Sequence, residues 1–293
     1  MFPIILAHGI ARFDILRELL AAEIGLPPNP LDDQFQYFRN IRTYLNGHGF
    51  NEVFNTNVDF AGSLALRSEQ LKLRVDDVLD RTGAEKVHII AHSMGGLDAR
   101  RMIVDLEMAG RVASLTTIGT PHLGTVLADQ VIANGGTMLI EALEKAVNID
   151  LDGFRDLTTG ACDEFNRRAE DAEAENAVFY QTFASSQKSR NVFLPLLPSW
   201  FAIRALDGAN DGLVSARSQR WKSELAGSGG QRKPIRRNEF PIPADHLNQV
   251  GWWDWQEAVS PLLGAGYANQ RASYEKRVKD VYLAIARGLA ELP

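Results

Sequence analysis

A single serine lies among small residues where a strand-like segment meets a helix-like one. Residues 86–91 form a mostly apolar run typical of a buried strand, and the motif AHSMGG spans residues 91–96. A strand that turns sharply into a helix strains its corner residue, and bulky neighbours would collide there. The motif therefore predicts that Ser93 stands at such a corner with its hydroxyl exposed for reaction, although small residues also surround serines of ordinary buried turns.

Strand-like and helix-like segments alternate along the chain. Runs typical of strands lie at residues 4–7, 52–58, 86–91, 115–119, 178–184 and 239–242. Apolar residues repeat at helical spacing from Leu64 to Leu79, before Gly83, and again from Val278 to Leu289. This alternation indicates an α/β fold, with a mostly parallel central sheet and helices on both faces. The length of 293 residues suits a single domain that spans residues 1–293.

Composition and charge exclude several classes of function. The formal net charge of −6 argues against a nucleic-acid partner, because phosphate contacts need a clustered basic surface. No stretch reaches the roughly 20 apolar residues that a membrane-spanning helix needs. Cys162 is the one cysteine of the sequence, so no disulfide can form within the chain. The chain opens on a strand-like run without a signal peptide. We therefore expect a cytoplasmic protein if Met1 is the natural start, and a secreted one if an N-terminal segment was removed.

A reactive serine needs a base, and the base needs a partner that orients it. In a fold of this kind an acid and then a histidine follow the serine along the chain. His246 is the one histidine late in the sequence, after the last strand-like run, and is the predicted base. Asp211 lies in an Asn-Asp-Gly turn and is the predicted acid, with Asp207 and Asp245 as rivals. A plain turn or loop residue is the alternative for each of them.

The oxyanion of an acyl-transfer intermediate needs backbone N–H donors that are fixed in advance. One donor is expected from Met94, the residue after the nucleophile. The other is expected from Ile10, because the loop after the first strand begins with His8-Gly9, and a glycine lets the backbone approach a substrate closely. A strand-ending turn at Gly9 and a core contact at Ile10 are the alternatives.

Two apolar stretches predict a cleft for an acyl chain. Residues 193–203, FLPLLPSWFAI, are apolar except for Ser199, and their two prolines argue against a regular helix or a central strand. Because this stretch precedes the turn of Asp211, we expect it at the edge of the active site. The predicted substrate-binding residues are Leu194, Leu197, Trp200 and Phe201. We expect residues 193–203 to form the wall of the cleft and residues 126–143 its cover, with ordinary core as the alternative for both.

Five motifs, in this order, resemble the bacterial family I triacylglycerol lipases and their esterase relatives. They are PIILAHGI, VHIIAHSMGGLDARR, LTTIGTPHLGT, NDGLVS and DHLNQVG, and they span the chain from residue 2 to about residue 255. The resemblance implies the α/β-hydrolase fold, with a helical lid or cap at residues 124–176. It also implies the roles of five residues: Ser93 as nucleophile, Asp211 as acid, His246 as base, and Ile10 and Met94 as oxyanion donors.

The chain departs from that family at three points. We expect no secretion signal, and with one cysteine the chain cannot form the disulfide that some members carry. Two residues after His246 it has Asn248, where the family has an aspartate that binds a structural calcium ion. We therefore expect no metal site, and we expect no cofactor.

These features predict a serine carboxylic-ester hydrolase of lipid metabolism, a lipase or esterase that cleaves acyl esters of glycerol or similar alcohols. The expected partners are a small ester or lipid substrate and, transiently, a lipid–water interface. Two alternatives stay open. One is an acyltransferase that uses the same residues, and the other is a non-catalytic protein that binds ligands in the same fold.

Overall fold

A parallel sheet forms the centre of the protein. The computed structural model describes residues 1–10, 33–60, 62–134, 151–252 and 264–292. Its strands are β1 (Ile4–Ala7), β2 (Val53–Asn55), β3 (Val87–His92), β4 (Val112–Ile118), β5 (Phe179–Ala184), β6 (Glu224–Ala226), β7 (Arg232–Pro234) and β8 (Arg236–Glu239). The sheet has the order β2-β1-β3-β4-β5-β8, with every neighbouring pair parallel, while β6 and β7 form a separate antiparallel hairpin. The mostly parallel sheet that the sequence predicts is confirmed.

Helices pack on both faces of this sheet. They are α1 (Ile41–Asn46), α2 (Leu64–Thr82), α3 (Gly95–Asp105), α4 (Val126–Asn134), α5 (Leu151–Asp156), α6 (Thr159–Glu175), α7 (Leu197–Leu206), α8 (Ala216–Arg220) and α9 (Gly264–Ala290). The end of α2 is where the sequence predicts it, because Gly83 caps the helix with a φ of 69°. Within the described ranges, no helix is both long and apolar enough to cross a membrane.

The core has two layers because successive side chains of a strand point to opposite faces of the sheet. In β1, Ile4 and Leu6 join a cluster that α1 and α9 cover, whereas Ile5 and Ala7 join a cluster that α2 and α3 cover. Both faces are therefore buried. This explains why a strand such as β1 has apolar residues at successive positions, rather than apolar and polar residues in alternation.

A third apolar cluster lies at the carboxyl ends of β1 and β3. Leu127 and Val131 of α4 are buried in it, so this part of the predicted cover belongs to the core. Residues 135–150 fall outside the described residues. The prediction of a lid or cap at residues 124–176 stays a prediction.

The last strand of the sheet lies earlier in the chain than the sequence predicts. The apolar run at residues 239–242 suggested it, but β8 is Arg236–Glu239, whose charged side chains suit the exposed edge of a sheet. Pro241 explains why the strand stops, since proline has no backbone N–H to continue the ladder. A charged edge strand carries none of the apolar pattern that identifies buried strands.

The prediction that residues 193–203 avoid a regular helix is also wrong in part. A short 3₁₀ turn at Leu194–Leu196 leads into α7, which begins at Leu197. Pro198 lies in the first turn of α7, where its missing N–H would have had no partner in any case. The prolines therefore start this helix rather than prevent it.

Candidate active site

The chain turns from β3 into α3 at Ser93. Ser93 has a φ of 55°, in the left-handed region that residues with a side chain rarely adopt. A Cβ at Gly95 would lie 2.6 Å from the carbonyl oxygen of Ala7, and one at Gly96 would lie 2.2 Å from Thr120 Oγ1. Glycine at both positions therefore lets α3 begin close against the ends of β1 and β4, which is the reason for the small residues around the serine.

The site lies where the strand order of the sheet reverses. β2 is on one side of β1, and the chain then crosses to add the remaining strands on the other side, beginning with β3. The crevice at the carboxyl ends of the strands at such a point is the usual ligand site of open parallel sheets. Gly9, just after β1, lies so near Ser93 that a Cβ on it would be 2.5 Å from the Ser93 Cβ. The loop after β1 and the serine are thus side by side.

His246 and Asp211 meet through their side chains and their backbones. His246 Nδ1 donates to Asp211 Oδ2 at 2.8 Å, and the His246 backbone N–H donates to the Asp211 carbonyl at 2.9 Å. The other carboxylate oxygen, Oδ1, accepts from the amides of Leu213 and Val214. The two side chains are 2% and 0% exposed, so water does not compete for these bonds.

The second ring nitrogen of His246 has different surroundings from the first. Nε2 is buried and has no hydrogen-bond partner in the part of the chain that the structure describes. The His246 ring lies 4.5 Å, centroid to centroid, from the ring of His92, the residue directly before Ser93. With Nδ1 donating to Asp211, the free lone pair is on the nitrogen that a base needs.

Asp207 and Asp245, the two rivals of Asp211, have other partners. Asp207 accepts hydrogen bonds from Ser215 Oγ and from the Arg217 guanidinium. Asp245 accepts from the backbone amides of Leu247, Asn248 and Phe193, and thereby ties the loop of His246 to the apolar segment at residue 193. The structure brings only Asp211 of these three to the imidazole.

The two predicted oxyanion donors follow β1 and β3 directly. Ile10 and Met94 are buried together in the third apolar cluster. The Met94 amide lies at the start of α3, where helix amides have no partner within the helix. His8 fixes the turn that precedes Ile10: its Nδ1 donates to the Gly9 carbonyl at 2.9 Å, and its Nε2 accepts from the Val58 amide. Burial, aided by Arg67, lowers the pKa of His8 to about 3, so its ring is neutral and can make both bonds.

A buried ion pair ties this turn to α3, the helix that follows Ser93. Arg67 of α2 donates to both oxygens of Asp98 of α3, at 2.6 to 3.2 Å, and its Nη2 also donates to the His8 carbonyl at 2.9 Å. Burial raises the pKa of Asp98 to about 6, although Arg67 opposes that rise. The ends of β1, α2 and α3 are thus joined through one guanidinium.

The predicted substrate-binding residues lie on α7 and on the turn before it. Trp200 packs with a small apolar group that includes Leu213 and Leu247, neighbours of Asp211 and His246. Leu197 is partly buried, whereas Leu194 and Phe201 are 48% and 58% exposed. The segment therefore adjoins the loops of Asp211 and His246, with two of its four predicted residues facing outward. Their contact with a substrate stays a prediction.

The position of the family's calcium ligand does not suit a cation. The Asn248 side chain is already used on both sides, since its Oδ1 accepts from the Asp245 amide and its Nδ2 donates to the Trp252 carbonyl. Calcium favours six to eight oxygen ligands, usually including carboxylates. Across the described ranges, no group of three or more His, Cys, Asp and Glu side chains could hold a metal ion.

Sequence reasoning missed three polar side chains beneath the site. Tyr37, His92 and Gln249 are buried and linked by hydrogen bonds that end at Asp211. His92 and Gln249 lie inside the quoted motifs, but nothing in the spacing distinguishes them from core residues. Tyr37 has no local signal at all.

Solved structures of lipases and esterases share this fold. The mature lipase BlEst2 of Bacillus licheniformis superposes with a TM-score of 0.62 and 18% identity, over 84% of each chain. The metagenomic carboxyl esterase MGS0156 gives a TM-score of 0.61 and 17% identity, over 99% of this chain and 76% of that chain. Identities this low show the fold alone. The α/β-hydrolase fold is confirmed.

Triacylglycerol lipases are similar in sequence. Triacylglycerol lipase 2 of Saccharomyces cerevisiae is 27% identical over 283 residues, which are 85% of this chain and 80% of that protein. A triacylglycerol lipase of Pseudomonas fragi is 27% identical over 288 residues, 85% of this chain and 87% of that protein. One from Pseudarthrobacter phenanthrenivorans is 36% identical over 133 residues, 44% of this chain and 36% of that protein. The resemblance that the motifs suggest is confirmed.

A family model described as "Putative serine esterase (DUF676)" matches residues 55–218. The matched stretch covers more than half of the 293 residues and includes Ser93 and Asp211, whereas His246 lies beyond it. The protein is accordingly a carboxylic ester hydrolase of the lipase and esterase type, and its chain belongs to the DUF676 serine esterase family.

Proposed function

We propose that Ser93, His246 and Asp211 form the catalytic triad of this esterase. The observation that carries the proposal is the geometry of His246, whose Nδ1 donates to Asp211 while its buried Nε2 has no partner in the described residues. An imidazole held by its acid through Nδ1 can act as a base through Nε2. The ring lies beside the residue that precedes Ser93.

The reaction follows from these positions. Ser93 Oγ attacks the ester carbonyl as His246 Nε2 takes the hydroxyl proton, and the Met94 and Ile10 amides donate to the oxygen that becomes negative. His246 then gives the proton to the departing alcohol, which leaves an acyl-enzyme. Water, deprotonated by His246, releases the acid and restores Ser93. Asp211 keeps the imidazole in the required tautomer and stabilises its positive form.

Esters of glycerol or similar alcohols are the substrates we propose. The names of the similar lipases support acylglycerols. The apolar side chains that adjoin the loops of Asp211 and His246 support an acyl chain as one part of the substrate. We further propose a transient lipid–water interface as the partner, because Ile132, Leu194, Phe201 and Leu206 are apolar side chains exposed on α4, on α7 and on the turn before α7.

An organophosphonate probe tests the triad. The wild-type protein should take up one equivalent of the probe on Ser93, and Ser93→Ala should take up none.

Ser93→Ala or His246→Ala should lower kcat by about 10⁵- to 10⁶-fold, and the double variant should be little worse than either single one because the residues act as a unit. A Ser93→Ala protein with more than a few per cent of the activity would reject the assignment. Competition between water and an added alcohol for the acyl group would reveal an acyltransferase instead.

A further inference from the structure

Three buried side chains outside the proposed triad form a continuous series of hydrogen bonds that ends at the acid. The Tyr37 hydroxyl bonds to His92 Nδ1 at 2.6 Å, and His92 Nε2 bonds to Gln249 Oε1 at 2.9 Å. Gln249 Nε2 then donates to Asp211 Oδ2 at 3.0 Å, the oxygen that also accepts from His246. Tyr37 is 5% exposed, and His92 and Gln249 are both 0% exposed. No step of the proposed mechanism uses these three residues.

Each hydrogen bond of this series can have only one donor and one acceptor, and each donor lies on the side of Tyr37. A carboxylate has no hydrogen to give, so Gln249 must turn its amide nitrogen to Asp211 and its amide oxygen to His92. Burial, together with the nearby His246, lowers the pKa of His92 well below its usual range, so its ring carries a single hydrogen. That hydrogen must be on Nε2, facing the amide oxygen. Nδ1 is then left to accept from the Tyr37 hydroxyl.

The surroundings hold both ends of the series. A Cβ at Gly119 would lie 2.2 Å from Gln249 Oε1, so a glycine after β4 leaves the room that the amide needs. The backbone carbonyl of Gln249 accepts from the Tyr282 hydroxyl of α9 at 2.8 Å. At the other end, the Tyr37 hydroxyl also interacts with the backbone of Gly9, in the predicted oxyanion loop. Turning the amide away from Asp211 would break its hydrogen bonds to both Asp211 and His92.

We propose that Gln249 is a positioning residue for the acid, and that His92 and Tyr37 hold Gln249 in its working orientation. The inference rests on the proposed function, because it assumes that Asp211 orients His246. Gln249 gives Asp211 Oδ2 a second donor and so fixes the carboxylate against Nδ1 of His246. The series also occupies both nitrogens of His92. The imidazolium of His246 therefore forms beside a neutral ring rather than beside a second cation.

Gln249→Leu tests this role because it keeps the volume and removes both hydrogen bonds. We expect kcat on a soluble ester to fall about tenfold to hundredfold, the effect of one hydrogen bond to a charged group, with KM changed less than about twofold. The acidic limb of the kcat/KM profile should move to higher pH, because Asp211 without the amide donor attracts the His246 proton more strongly. A merely structural residue would lower stability without moving that limb.

Gln181→Leu is the matched control. Gln181 is another buried glutamine, and its amide donates to Thr116 Oγ1 between β5 and β4. Its loss should lower the melting temperature and leave kcat and the pH profile within about twofold of wild type. If Gln181→Leu and Gln249→Leu change kcat and the acidic limb alike, the proposal is wrong.

Tyr37→Phe removes one hydroxyl and keeps the proposal testable if Gln249→Leu does not fold. It should move the acidic limb in the same direction and lower kcat severalfold. Combined with Gln249→Leu, it should cost less than the product of the two separate losses, because both act through Asp211. The proposal would be overturned if Tyr37→Phe and Gln249→Leu fold and have wild-type kinetics. It would also be overturned if the double variant loses kcat by the full product of the two single losses. Organophosphonate labelling of Ser93 in the wild type separates that outcome from failure of the triad itself.

Discussion

At the scale of single residues, two aspartates four positions apart in the chain have different partners. Asp211 accepts from His246, whereas Asp207 accepts from Ser215 and Arg217. Asp211→Asn should lower kcat by about 10⁴-fold, because an amide can present a donor to Nδ1 and favour the wrong tautomer of His246. Steady-state kinetics on a soluble ester measure the loss.

Asp207→Asn is the control for that variant. The Arg217 side chain is 61% exposed, so the pair contributes little and kcat should change less than about threefold. If Asp207→Asn abolishes activity while Asp211→Asn keeps it, the acid has been assigned to the wrong residue.

The positions of the proposed triad can be named from the sequence because chain order and turn chemistry point to them. Ser93 stands in a motif of small residues, and His246 is the last histidine of the chain. The residues around the acid could not be predicted in the same way. His92 and Gln249 are 157 positions apart, and Tyr37 and His92 are 55 apart. Such contacts depend on how the sheet brings distant loops together, and no local spacing records them.

At the scale of secondary structure, α7 presents apolar side chains to solvent. Phe201 and Leu206 are 58% and 56% exposed, and Arg204, between them in the sequence, is exposed and basic. Apolar side chains exposed on a helix beside a basic residue suit the surface of a lipid layer. Phe201→Asp should lower activity on an emulsified triglyceride about tenfold, because burying a phenyl ring contributes roughly 1.5–3 kcal/mol.

A soluble short-chain ester provides the comparison for Phe201→Asp. Its kcat/KM should fall much less than the activity on the emulsion, since Phe201 is mostly exposed and lies outside the proposed triad. Leu73→Asp is the matched control, because Leu73 of α2 is also a highly exposed apolar side chain, at 67%, outside the α4 and α7 surface. Equal losses on both substrates, or the same loss in Leu73→Asp, would mean that α7 does not meet the interface.

The elements that the sequence predicts well are those with a strong local pattern. The apolar stripe from Leu64 to Leu79 and the glycine after it give α2 its bounds. Apolar periodicity does not identify an element whose residue types are set by its position in the fold. β8 is an exposed edge strand with charged side chains, and α7 has a proline in its first turn, where a helix tolerates it.

At the scale of the whole molecule, one buried ion pair joins the scaffold to the site. Arg67 and Asp98 are 0% and 1% exposed, and Arg67 also donates to the His8 carbonyl at the end of β1. A buried charge that loses its partner is costly, whereas an apolar pair of similar volume can replace both charges with little loss. Removing one charge of the pair should therefore lower stability, whereas replacing both charges by apolar side chains should restore stability without restoring activity.

Asp98→Ala should lower the free energy of unfolding by about 3–5 kcal/mol, because it leaves the Arg67 charge buried without its carboxylate. In this chain the melting temperature should fall on the order of 10 °C. Asp77→Ala, which breaks the exposed pair of Asp77 with Arg81, should cost less than about 1 kcal/mol.

The double variant Arg67→Met/Asp98→Leu should recover much of the stability but not kcat, since the His8 carbonyl loses the Arg67 donor next to the predicted oxyanion loop. Thermal denaturation and kinetics on the same samples measure both effects. Full recovery of kcat together with stability would show that the pair supports the fold and has no part in arranging the site.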